Sequence, residues 1–239
     1  MLKKFYLLLA AAIMLSGFST ARGSESPNRF YVAPLYQNLN SVWSNKTDQN
    51  GPMWGVGTGF DYTQDGALYI GGDFAYATGR IKGSAGDDRT YEYFLEDRIG
   101  WTFSLCDLPD FTFVGFVGGG YYQFNQSLSE GNKFNSHFWY VPIGFRVYYD
   151  VACDFQLGLN FTVAPTFGGR WKIDCRKNAP TTVLWKVEMP FTYLFDLSCS
   201  QFDLSLVPFF HEWSFQRKGQ LNGQRNIYFG ARLELGYNF

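Results

Sequence analysis

Apolar side chains recur at every second position along most of this chain, and that period decides what it can fold into. Residues 155–167 show it most cleanly. Phe155, Leu157, Leu159, Phe161 and Val163 alternate there with Gln156, Gly158, Asn160, Thr162 and Ala164. Successive side chains of a strand point to opposite faces, so such a stretch has one apolar wall and one polar wall. The same alternation predicts ten strands, over residues 29–39, 53–62, 67–81, 90–105, 111–124, 137–149, 155–167, 181–195, 202–215 and 226–239. Aromatic residues make up 20% of the chain, and both strands and membrane interfaces favour them. Mean hydropathy is only −0.17, as it must be if half of each strand faces a polar interior.

The connections carry a second pattern. Longer polar stretches at 40–52, 82–89, 125–136, 170–180 and 216–224 alternate strictly with shorter turns at 63–66, 106–110, 150–154 and 196–201. Short turns on one side and longer loops on the other are the pattern of a membrane barrel. Past residue 22 no apolar run is long enough to be a membrane helix. Only helices and closed barrels satisfy every backbone group in lipid, so a membrane-spanning reading has to be a barrel. The expected fold is therefore all-β: a transmembrane, antiparallel, up-and-down β-barrel of about 10 strands. A secreted sandwich or lipocalin-like barrel shares the alternation, but it requires polar outer faces where this sequence puts Phe, Trp, Leu and Val. One position resists the pattern. Asp97 shares its face with Tyr93, Leu95, Ile99 and Trp101, so a bulge or a reversed face is expected there.

Residues 1–22 read as a cleaved signal peptide: Lys3 and Lys4, an apolar run from Phe5 to Phe18, then small residues before the cut. Residues 23–239 form the barrel domain. At the other end, residues 226–239 place Phe229, Ala231, Leu233, Leu235, Tyr237 and Phe239 on one face. This stretch resembles the C-terminal strand of small bacterial outer-membrane β-barrel proteins. The resemblance implies an outer-membrane location, contact with outer-membrane lipid, and recognition of Tyr237 and Phe239 by the barrel-insertion machinery. It also sets the orientation: with ten strands both termini lie in the periplasm, the short turns are periplasmic and the long loops extracellular.

The remaining chemistry is sparse. Asp61, Asp73, Arg98, Arg146, Lys186, Glu188, Arg232 and Glu234 all fall on inward faces, where charges must be paired. A salt-bridged plug is expected rather than an ion path, because a barrel of this size is filled by its own side chains. On this reading, removing Arg232 would let ions in. Of four cysteines, Cys106, Cys153 and Cys199 fall in periplasmic turns and Cys175 in an outside loop. The oxidising periplasm permits crosslinks from the first three to envelope partners. No CxxC or Cys/His spacing suggests a metal, no cofactor motif is present, and a net charge of −1 without a basic stripe speaks against nucleic acid. His211, in FFHEWSF, is the residue on which an enzyme reading would rest. Omptin-type proteases place an Asp two positions before such a His, whereas residue 209 is Phe. Lipid A deacylases pair a His with Ser and Glu, but alternation puts His211 on the opposite face from Glu212 and Ser214. His211 is expected as a hydrogen-bonding rim residue. The functional expectation is a non-enzymatic surface barrel, structural or adhesive through its outside loops. A small porin-like channel is the alternative, and a barrel hydrolase the lesser one.

Overall fold

The structure is a computed structural model, and it describes residues 28–43, 48–63, 68–83, 86–105, 108–127, 133–172, 176–178, 182–197, 200–215 and 224–239. The signal-peptide region, Cys106, Cys175 and Cys199 lie outside the described residues.

Strands β1 (Arg29–Trp43), β2 (Gln49–Thr63), β3 (Leu68–Gly83), β4 (Gly86–Leu105) and β5 (Leu108–Ser127) form a meander in chain order. The sixth wall strand is β6 (Lys133–Tyr140) continued by β7 (Ile143–Ala152), and both pair with β5 and with β8 (Phe155–Lys172). β9 (Arg176–Asn178) is a short addition to β8. The eighth wall strand is β10 (Thr182–Glu188) continued by β11 (Phe191–Leu197), followed by β12 (Ser200–Phe215) and β13 (Gln224–Asn238). β13 then pairs antiparallel with β1 along its length, from Arg29↔Asn238 to Trp43↔Gln224. That pairing closes a ten-stranded antiparallel barrel and leaves no open edge.

Both interruptions have one cause. Proline has no N–H for the ladder, and Pro142 and Pro190 sit at the two breaks. Their carbonyls keep the wall continuous: Gly118 N–H donates to Pro142 O at 2.9 Å, and Gly158 N–H donates to Pro190 O at 2.7 Å.

The outer face carries an apolar belt. Phe30, Trp54, Val56, Ile99, Ile143 and Leu235 are each about half exposed or more. A closed wall with an apolar exterior satisfies its backbone in lipid, so this is a membrane-spanning barrel. Asp97 does belong to the outer face. No bulge lies there, since pairing runs unbroken through Gly72↔Asp97 and Asp97↔Gly119. Both cross-strand neighbours are glycines, which leaves the carboxylate lying over bare backbone.

Strand ends are where sequence and structure differ. The alternation fades at residues 81 and 90, yet pairing continues to Gly83↔Gly86. β4 and β5 each run 20 residues. At about 3.3 Å per residue that is roughly 65 Å of strand, far more than an apolar band about 25 Å tall needs. Beyond lipid the outer face no longer has to be apolar, so the pattern stops while the hydrogen bonds go on.

Candidate functional site

The lumen holds every charged candidate group and His211, among largely buried side chains. Its periplasmic half is an ionic network built on the inward faces of eight wall strands. Arg146 Nη1 lies 2.7 Å from Asp61, and Arg98 lies 3.9 Å from Asp61, 2.6 Å from Asp73 and 3.2 Å from Glu96. Lys186 reaches Glu96 at 4.0 Å and Glu188 at 3.5 Å. Arg232 joins Glu188 at 2.8 Å to Glu234 at 2.5 Å. Arg29 extends the chain from Glu234 at 2.9 Å to Asp203 at 2.7 Å. All eight charged residues singled out from the sequence thus lie in one connected cluster.

Arg29, Glu96 and Asp203 belong to the same network, and the sequence reading missed them. A signal was present for Glu96, because with Asp97 facing out, residue 96 must face in. Arg29 and Asp203 sit near strand starts, where alternation is short.

Tyrosine hydroxyls and aromatic rings add to the ion pairs. Tyr69 Oη donates to Asp61 at 2.6 Å, Tyr140 Oη to Glu96 at 3.2 Å, and Tyr31 Oη to Asp73. Arg98 lies over the Phe116 ring at 5.6 Å, and Lys186 over Phe94 at 4.8 Å. Ion pairs that are also hydrogen-bonded and stacked can recover their desolvation cost.

Above the network lies something the alternation did not predict, an aromatic plug. Tyr122, Phe124, Phe134, Phe138, Tyr140 and Trp213 are all buried inside the barrel with Tyr228. Trp213 is the hub, with ring centroids 4.8 Å from Tyr122, 4.7 Å from Phe138 and 5.6 Å from Tyr140. Glu92 is set into this plug, with no ion-pair partner among the described residues. It accepts hydrogen bonds from Tyr122 Oη at 2.8 Å and from Gln37. A third layer lies above the plug: Gln49 and Gln126 both donate to Asp88, at 2.6 and 2.7 Å. The void between plug and network is about 60 Å³, room for about two waters.

Gly120 shows how tightly the plug is built. A Cβ there would sit 2.0 Å from the Tyr140 ring, which is held between Phe94, Trp213 and Glu96. Gly120→Ala should cost about 1–3 kcal/mol, the range for overpacking a core. A lowered urea midpoint in detergent, with the folded gel migration retained, checks this.

His211 corrects the rim expectation. It points into the lumen, stacks on Phe209 with centroids 4.6 Å apart, and places Nε2 3.4 Å from Glu188 Oε1. Glu212 faces outward and pairs with Arg225 at 2.7 Å. Among the described residues no hydroxyl nucleophile is hydrogen-bonded to His211, and no His, Cys, Asp and Glu cluster could hold a metal. Cys153 is a free, exposed thiol in the periplasmic turn between β7 and β8. Tyr237 and Phe239 face outward with stacked rings, and Phe239 N–H donates to Asn28 O at 2.9 Å.

No protein-family model and no curated protein matches the chain. The barrel is similar to the outer membrane protease OmpT from Escherichia coli, with 10% identity and a TM-score of 0.48 over 94% of this chain and 99% of that one. It is also similar to Neisserial surface protein A, at 11% identity and a TM-score of 0.41 over 88% and 97%. For the attachment invasion locus protein of Yersinia pestis the values are 9% and 0.37, over 87% and 99%. Closure, an apolar belt and an inward-facing charge network together make this chain a membrane-spanning, ten-stranded β-barrel protein.

Proposed function

We propose that the protein is a sealed, non-enzymatic surface barrel that acts through its exterior and its extracellular end, in a structural or adhesive role. One observation carries this reading: three packed layers fill the lumen, and the void between two of them is only about 60 Å³. A hydrated ion needs a continuous water path, which these layers interrupt. A hydrolase built on His211 would need substrate to pass the aromatic plug above it. Cys153 offers an exposed thiol for a disulfide with an envelope partner, and Phe239 offers the end of β13 to the insertion machinery.

Planar-bilayer recording of the purified barrel tests the sealed lumen. Silence is expected at moderate voltage. Stable, large steps would reject the reading and put the porin-like channel in its place.

A further inference from the structure

The outer face changes character just above the apolar belt. Across β3, β4, β5, β6 and β8, one cross-strand row reads Phe74, Leu95, Tyr121, Trp139 and Phe167. The next row toward the extracellular end reads Tyr76, Tyr93, Gln123, His137 and Arg170. The one after reads Thr78, Tyr91, Asn125 and Asn135, and the next Arg80, Arg89 and Ser127. Lipid chains therefore give way to headgroups at this level of the wall.

The wall is also concave here. Between His137 and Trp139 the register with β8 slips by one residue, at Gly168, whose φ is +62°. A bulge with a glycine in the left-handed region bends its strand. A concavity of about 830 Å³ lies beside this bulge, lined by Tyr91, Tyr93, Gln123, Asn125, Arg89 and Arg170 among others.

Its polar groups end on an unmet donor. Tyr121 Oη donates to Gln123 at 3.0 Å, Gln123 Nε2 donates to Asn125 Oδ1 at 3.4 Å, and Asn135 Nδ2 donates to the same oxygen. Two N–H donors on Oδ1 fix the orientation of the Asn125 amide. Its Nδ2 is left without an acceptor, although Asn125 is only 5% exposed. A buried donor of this kind costs free energy until something accepts from it. Arg80 and Arg89 face each other directly across β3 and β4. Like charges so placed repel unless an anion lies between or beside them. Among the described residues neither Arg89 nor Arg170 has an ion-pair partner. An acceptor is needed at Asn125, negative charge at the arginines, and a flat ring face at the tyrosines.

We propose that this concavity seats the phosphorylated sugar headgroup of an outer-leaflet glycolipid. Its phosphates lie against Arg89 and Arg170, a sugar or phosphate oxygen accepts from Asn125 Nδ2, and the acyl chains run down the row from Leu95 to Phe167. The lipid-linked source follows from the apolar row directly beneath the polar ones.

Native mass spectrometry of the purified barrel in detergent tests this. The probes are a diphosphorylated, acylated glucosamine disaccharide, its dephosphorylated form, and the deacylated phosphosugar. The wild type should retain one phosphorylated lipid and hold the dephosphorylated form about tenfold less well, the scale of one hydrogen bond to a charged group. Asn125→Asp keeps the acceptor for Gln123 and Asn135 but replaces the free donor with negative charge, so it should lose retention by about tenfold or more. Arg89→Ala with Arg170→Ala should do the same, with the folded gel migration unchanged. Equal retention of both lipids, or of wild type and Asn125→Asp, would overturn the proposal. Displacement of the lipid by an equal concentration of deacylated phosphosugar would overturn the lipid-linked assignment.

Discussion

Arg232→Ala combined with Trp213→Ala should turn a silent barrel into a conducting one, while either change alone leaves it closed. From sequence, Arg232 alone looked sufficient. The structure sets two seals in series. Arg232 bridges Glu188 and Glu234 in the lower one, at 2.8 and 2.5 Å. Its loss opens a gap in the network, but the rings above still block the axis. Trp213 holds the upper seal together through Tyr122, Phe138 and Tyr140. Truncating it should cost about 3–5 kcal/mol, as for large aromatic residues in a core, and leave a hole above an intact network. The wall tolerates both because its ladder hydrogen bonds have no alternative partner in lipid. Single-channel recording of wild type, both single variants and the pair decides the matter. Steps in Arg232→Ala alone would mean that the network is the only gate. Silence in the pair would mean that the remaining side chains collapse into the space.

How far the fold was legible follows from the solvent on each side of the wall. Where lipid lies outside and polar groups inside, alternation is forced, and residues 155–164 read correctly on both faces. At Asp97 the expectation of a bulge or a reversed face was wrong, since the strand runs through it unbroken with the carboxylate outward. Its chemistry argued against lipid, but the period was the stronger signal, and Gly72 and Gly119 leave room beside it. The pattern loses its meaning once the strands leave the membrane. Just below that level Phe138, Trp139 and Tyr140 are apolar on both faces, because Phe138 and Tyr140 plug the lumen and Trp139 faces outward in the apolar row. Glycines at 115, 118, 119 and 120 blur β5 for a different reason. Gly120 makes room for the Tyr140 ring, whereas Gly115 and Gly119 face outward with open space beside them. Of the charged network, Arg146, Lys186, Glu188, Arg232 and Glu234 were found from sequence because each sits between apolar neighbours. His211 was given the right face and the wrong depth, since alternation reports which side a residue faces but not how much of the lumen its neighbours fill.

Arg98→Met should be the most destabilising single change in the ionic network. Arg98 is buried and serves three carboxylates, Asp73 at 2.6 Å, Glu96 at 3.2 Å and Asp61 at 3.9 Å. Without it, Asp61 keeps Arg146 at 2.7 Å and Glu96 keeps Lys186 at 4.0 Å. Asp73 keeps the Tyr31 hydroxyl, with no other cation at ion-pair distance among the described residues. Breaking a buried pair by removing one partner costs about 3–5 kcal/mol, mostly because a charge is stranded. Removing that charge as well should restore part of the loss. Asp73→Asn in the Arg98→Met background is therefore expected to be more stable than Arg98→Met alone, by about 1–3 kcal/mol of coupling. Arg98→Lys keeps a charge but not the fork that reaches three acceptors, and should fall between wild type and Arg98→Met. Urea midpoints in detergent of wild type, Arg98→Met, Asp73→Asn, their pair and Arg98→Lys, read by the mobility of unheated samples, give the cycle and the ranking. A loss below about 1 kcal/mol for Arg98→Met, the scale of an exposed pair, would mean that water reaches the network and screens it. The lower half of the lumen would then be a wet vestibule, and the aromatic plug would be the only seal.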